Sequence, residues 1–246
     1  MFERPHHQRI ARILESLDAG LLREHGCWFG GGTAIALRLG EFRESVDIDF
    51  LVSNADGYRE LRQRLRAATT LAPLTRAGIA PLPFTGELRI DQYGLRGFVD
   101  IRPLPVKFEI VSEGRITFAL PGAGDAVCGV ESLSWTDLAA SKLLANADRW
   151  RDDSVFSRDA IDLAFMDLPP RRLAPALRKA MDAYGESVAI DLQRALHVLR
   201  TRQGWLARCV AALSIEEPPA RVLQRLRLLG RRLGTTAGAL GQPLPT

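Results

Sequence analysis

Two acids separated by one residue, Asp47 and Asp49 in Val46-Asp47-Ile48-Asp49-Phe50, are the strongest chemical signal in this chain. Apolar and acidic residues alternate there, so a strand of period two buries Val46, Ile48 and Phe50 and turns both carboxylates to one face. Held about 7 Å apart, two such charges repel. A divalent cation bound between them removes that cost, and a hard ion such as Mg²⁺ takes carboxylate oxygens while leaving positions open for substrate phosphates. Just upstream, Gly30-Gly31-Gly32-Thr33 leads into a short helical run, Ala34 to Leu39, that stops at Gly40. Successive backbone N–H groups in such a turn, with the helix N-terminus behind them, make an anion site suited to a triphosphate. Three glycines alone mark only a tight loop. Beside a metal-binding pair they complete the layout that nucleotidyl transfer requires.

Further along, Val106-Lys107-Phe108-Glu109-Ile110-Val111 reads as a strand with Lys107 and Glu109 on one face and Phe108 and Ile110 on the other. An acid inside an otherwise apolar strand needs a partner. Asp100, in Phe98-Val99-Asp100-Ile101, is the rival carboxylate, with a turn-flanking surface position as its plainer account. Lys142 sits in the apolar run Leu138, Ala139, Leu143, Leu144 of a helix that Ser134 starts, with Asp137 in a variant of the capping box. Only Lys107, Lys142 and Lys179 are lysines among 33 basic residues, so arginine is the habitual surface cation and a compact ammonium at Lys142 is a distinct choice. A lysine snorkelling from a helix is the alternative. Ser157-Arg158-Asp159-Ala160-Ile161-Asp162 opens the next helix, where capping and the helix dipole already account for both acids.

Gly31-Gly32-Thr33-Ala34, then Arg43-x-Ser45, then Asp47-x-Asp49, followed by Lys142 and Arg158-Asp159, resemble the nucleotidyl transferase AbiEii/AbiGii toxin family of the DNA polymerase β-like nucleotidyltransferases. The resemblance spans residues 25–170. It implies an α+β fold with a small mixed sheet of the polymerase β type, flanking helices and a helical C-terminal bundle. It also implies transfer of a nucleoside monophosphate from an NTP to an acceptor with two Mg²⁺ ions, the metals held by Asp47, Asp49 and Glu109. Gly31, Gly32, Thr33, Arg43 and Ser45 would bind nucleotide. Lys142 would bind phosphate, and Asp159 would support the site by holding Lys142 through a charged hydrogen bond. A toxin or abortive-infection role follows, with tRNA as an acceptor and a cognate antitoxin as partner. A protein or small-molecule hydroxyl as acceptor, or a silent nucleotide-binding member, stays open. The additional Gly30 departs from the family pattern at the cradle.

Around these residues the pattern predicts an amphipathic helix over residues 8–24, a helix over 58–69, and strands over 87–90, 97–101, 105–111 and 115–120. Pro169-Pro170 ends the second motif helix and divides a nucleotidyltransferase domain, residues 1–170, from helices over 172–184, 188–202, 205–212 and 220–233, with a frayed tail over 234–246.

A chain of 246 residues suits one large or two small domains. The start carries no apolar signal region and no run reaches a membrane-spanning length, so a cytoplasmic protein without membrane contact is expected. Cys27, Cys128 and Cys209 have no C-x-x-C spacing and the four histidines form no H-x-x-x-H cluster, which argues against a zinc site. The net charge of +4 hides a split: from Arg171 onward 13 basic residues face 5 acidic ones, leaving 20 against 24 before it. Basic helices beyond an acidic metal site suit a polyanionic acceptor or are merely solvated.

Overall fold

The computed structural model describes residues 2–241. The fold is α+β, and the chain divides into two compact units. The first takes residues 2–41 and 45–134, and the second residues 42–44 and 135–241. The boundary thus follows Ser134, whereas the sequence reading set it at Pro170, and the helices carrying Lys142 and Asp159 belong to the helical unit.

In the first unit, helices α1 (Pro5–Ser16) and α2 (Ala19–Glu24) replace the single helix expected over residues 8–24. The break falls where Leu17 turns extended and the Asp18 carboxylate accepts the Leu21 N–H, capping a new helix start. Strand β1 (Cys27–Gly30) runs directly into α3 (Gly31–Arg38), then β2 (Asp47–Val52) and α4 (Ala55–Leu65). Strands β3 (Arg89–Ile90), β4 (Gly94–Val99) and β5 (Val106–Ser112) complete a mixed sheet in the order β1-β2-β5-β4-β3. Only β2 and β5 are parallel. Residues 115–120, expected as a strand, are irregular, and a small β6 (Ala126–Val127) and β7 (Val130–Glu131) hairpin follows. Helix α3 packs on β1 and β2.

The inner face of this sheet is aromatic. Phe29, Phe50 and Phe108 on adjacent strands are fully buried, with successive ring centroids 5.7 Å apart in tilted pairs. Truncating a Phe so placed costs about 3–5 kcal/mol. That row fixes which way β2 and β5 face, and period two then sends Asp47, Asp49, Lys107 and Glu109 to the other side.

The helical unit contains α5 (Trp135–Arg149), α6 (Arg158–Met166), α7 (Pro170–Tyr184), α8 (Ser187–Thr201), α9 (Trp205–Ala212) and α10 (Pro219–Ala239). Helix α5 packs on α6, α7 and α8, and α10 closes against α6, α7 and α8. Pro170 opens α7 at its first turn, where a missing N–H costs nothing. The expected tail is helical as far as Ala239, because Thr236 and Ala237 are buried; residues 242–246 of that expectation lie outside the described residues. Among the described residues no helix is long and apolar enough to cross a membrane.

Candidate active site

The acid face is built by register. Asp49 lies beside Glu109 and Asp47 beside Lys107 across the parallel β2–β5 pair, so the two strands place all four side chains on one face. Asp47, Asp49 and Glu109 are all partly exposed, while Ile48 between the acids is fully buried. Val46 departs from expectation: it precedes β2 and is 47% exposed, since the alternating pattern begins only where the strand does. Asp100 follows the last residue of β4, and β5 separates that strand from β2. Glu109 is therefore the carboxylate next to the Asp pair.

Glu109 meets two cations. Arg96 Nε lies 2.9 Å from one carboxylate oxygen and Lys107 Nζ 2.5 Å from the other. Burial works against the Lys107 charge, but the hydrogen bond to Glu109 and the fields of Glu109, Asp47 and Asp49 outweigh it and raise the ammonium's pKa. Among the described residues no group of three or more His, Cys, Asp or Glu side chains is placed to hold a metal ion. Asp47 and Asp49 offer the oxygen donors a hard divalent cation takes, on a partly open face.

The glycine turn abuts this face. Gly31, at φ +67°, opens α3 in the left-handed region, and a Cβ built there would overlap the Asp49 carboxylate and stand 2.9 Å from its Cβ. A side chain at residue 31 and Asp49 in its present place exclude each other. Gly31 and Gly32 are partly exposed at the first turn, where backbone N–H groups lack intrahelical partners. Thr33 is fully buried, and its hydroxyl donates to the Asp47 carbonyl at 2.5 Å, so the 2.8 Å contact with Ser45 Oγ is donated by Ser45. Thr33 and Ser45 thus tie the turn to the start of β2.

Two histidines that sequence reasoning set aside grip the same approach. His6 Nε2 donates to the Val46 carbonyl at 2.8 Å while its Nδ1 accepts from Arg9 at 2.7 Å. His7, fully buried, accepts the Ser45 N–H on Nε2 at 3.1 Å and gives its Nδ1 proton to Glu41 at 2.8 Å. The partners of each ring assign which nitrogen donates and which accepts. Burial lowers the His7 pKa against the opposing pull of Glu41. A His-His pair in a first helix carries no spacing signal, and only the partners reveal its use.

Arg43, Lys142 and Asp159 come together in the helical unit. Lys142 Nζ lies 2.8 Å from Asp159 and 2.7 Å from Asp162. Arg43, 3% exposed, forks onto Asp162 through Nε at 2.6 Å and Nη2 at 2.9 Å and donates to the Glu44 carbonyl at 2.7 Å. Arg149 forks onto Asp159 at 2.7 and 3.0 Å. Burial opposes the Asp159 charge, but Lys142 and Arg149 outweigh it and hold the carboxyl well below the usual range. The expected pairing of Asp159 with Lys142 is present. Asp162 and Arg149 add to it, and a cap reading of Asp162 missed its second use.

In α10, Arg225 pairs with Glu217 and Arg232 with Asp167, whereas Arg227 and Arg231 are exposed. These two are surface cations of the basic C-terminal helices.

Over residues 12–225 the sequence matches the family described as nucleotidyl transferase AbiEii toxin, type IV TA system. No curated protein matches the sequence. Among solved structures, a candidate nucleotidyltransferase from H. pylori superposes with a TM-score of 0.52 at 15% identity, covering 95% of this chain and 96% of that one. JHP933 from Helicobacter pylori reaches 0.49 at 16% identity, covering 98% of each. The first of these likenesses bears on the fold alone.

Proposed function

The chain belongs to the AbiEii nucleotidyl transferase toxin family, and from that premise we propose how this nucleotidyltransferase works and on what. The family's type IV toxin–antitoxin setting supplies an NTP as substrate and a cognate antitoxin as partner. Our reading is that Asp47 and Asp49 hold Mg²⁺ and that the N–H groups of Gly31, Gly32 and Thr33 bind the triphosphate. Glu109 organises the acceptor side, while Lys142 is steadied by Asp159 within the helical unit. The observation that carries it is the packing of the glycine turn against Asp49, in a parallel register that sets Glu109 alongside.

When bound, the ion neutralises the carboxylates and the phosphate oxygens they face. The chain's own groups do the remaining work. The glycine turn holds the leaving pyrophosphate, Thr33 and Ser45 fix the strand entry so that the acids stay aimed, and Glu109 stands where an acceptor hydroxyl approaches. The acceptor oxygen bonds to the α-phosphorus, the α–β bridging bond breaks, and pyrophosphate leaves with that electron pair. The hydroxyl proton passes to solvent.

RNA is the acceptor we favour, most specifically the 3′ end of a tRNA, because 13 basic residues against 5 acidic ones beyond residue 170 suit a polyanion. The test incubates the full chain with labelled NTP, Mg²⁺ and total RNA, then measures label in RNA and protein separately. Label in RNA, lost in Asp49→Asn with an unchanged melt, is expected. Label on protein alone overturns the RNA acceptor, and transfer surviving in Asp49→Asn overturns the site.

A further inference from the structure

The acid face does not end at Glu109. Register carries it across two more strands: Phe98 and Arg96 of β4 pair with Lys107 and Glu109, and Arg89 of β3 pairs with Arg96. Paired residues of an antiparallel ladder share a face, so Asp47, Lys107 and Phe98 form one row and Asp49, Glu109, Arg96 and Arg89 the next. On the opposite side of β4, Leu95 and Val99 are buried, but Phe98 is 48% exposed and stacks on no other ring among the described residues. A single exposed aromatic needs no explanation by itself. Its place does: at a strand spacing of about 4.8 Å, two strands set Phe98 about 10 Å across the face from Asp47.

We propose that Phe98 is the platform on which the terminal base of the RNA acceptor stacks, so that this residue selects an unpaired 3′ end. The proposal rests on the nucleotidyl-transfer reading above. Direction decides it. Attacking and leaving oxygens stand roughly in line on the phosphorus. With pyrophosphate at the glycine turn, on the β1 side of the acids, the acceptor hydroxyl comes from the opposite side, over β5 and then β4. A ribose whose 3′ oxygen reaches the acids from there holds its base above β4, where the row ends in Phe98. An aromatic side chain accepts the π-face of any base, provided that base is not already paired and stacked in a duplex. Beside it, Arg96 and Arg89 set positive charge where the phosphate behind that nucleotide passes, and Arg89 is exposed at the sheet's edge. A protein's serine hydroxyl would bring neither a base for the ring nor a phosphate for the arginines.

The test uses the full chain with labelled NTP, Mg²⁺ and two tRNAs made by ligation, one ending in adenosine and one in an abasic ribose that keeps the phosphate and both hydroxyls. Loss of one stacked base is expected to raise the wild-type KM for tRNA by about 5- to 140-fold, with the KM for NTP unmoved. Phe98→Leu, which keeps apolar cover without a ring, is expected to raise the KM for the adenosine tRNA by the same factor and to treat the two tRNAs alike. Phe98→Trp is expected to keep the discrimination, and each variant is checked by its melt. Wild type taking both tRNAs with equal KM, or Phe98→Leu discriminating as wild type does, overturns the proposal while leaving the Asp47–Asp49 site and the RNA acceptor standing. Label on neither tRNA, or on protein alone, overturns the RNA acceptor, and this inference with it.

Discussion

Replacing Asp162 by Asn removes a charge that two buried cations share, and the structure fixes how much that costs. Asp162 is fully buried, takes a two-pronged contact from Arg43 at 2.6 and 2.9 Å, and lies 2.7 Å from Lys142 Nζ. In the variant Lys142 retains Asp159 as a counter-charge, but Arg43 loses the carboxylate that both of its prongs grip. Breaking a buried ion pair from one side costs about 3–5 kcal/mol. For a chain of this size each kcal/mol lowers the melting temperature by roughly 2–4 °C, so the fall should be roughly 6–20 °C. Lys142→Met is the informative contrast. It removes the cation between two acids, yet Asp162 retains Arg43 and Asp159 retains Arg149, so both buried charges stay paired and the loss should be the smaller one. Differential scanning calorimetry at pH 7 on the three proteins decides the matter. Asp162→Asn melting within about 2 °C of wild type, or Lys142→Met proving the more damaging change, would refute a network in which Asp162 is the shared anchor.

Two further outcomes follow from the sheet unit. Gly31→Ala should lose about 1–2 kcal/mol to its left-handed backbone and also displace the Asp49 carboxylate, so transfer activity should collapse; Gly26→Ala, at φ +61° with open space around it, should lose stability alone. Urea melts and turnover measured side by side would sink this if Gly31→Ala transferred at the rate of Gly26→Ala. For His7, burial lowers the folded pKa below the ordinary 6.5, so the unfolded chain takes up a proton that the folded chain resists. Stability is then complete above about pH 6.5 and declines as the pH falls through the interval beneath it. His7→Gln, which keeps an acceptor for the Ser45 N–H without titrating, should show a flatter decline in urea midpoint from pH 7.5 to 5.5, and an identical slope would count against the assignment.

Local pattern reached some of this and not the rest, for physical reasons. Asp47-x-Asp49, the strand holding Glu109 and the helices holding Lys142 and Asp159 were legible because each is a short-range periodicity. Strand β1 was hidden, since Cys27 to Gly30 are all buried and show no alternation. Arg43 resembled a nucleotide ligand by its neighbours Ser45 and Asp47, but its guanidinium is gripped by Asp162, 119 positions away, a distance no local pattern spans. The cations on Glu109 were only half visible: Lys107 shares its strand, but Arg96 arrives across a register that sequence alone does not set. His6 and His7 act through backbone groups of Ser45 and Val46, whose identities leave no trace in side-chain spacing.

The brief passage of residues 42–44 into the helical unit has a genetic corollary. The polypeptide crosses between units after Glu41, after Glu44 and after Ser134, not once. A recombination event that swaps everything beyond Ser134 for a foreign partner would carry away Asp162 while leaving Arg43 behind, stranding a guanidinium whose counter-charge lives in the discarded segment. Descendants of such an exchange would need a compensating change at residue 43 to fold. Lineages of this architecture should therefore inherit both units together, and residues 43 and 162 should vary as a pair wherever either varies at all.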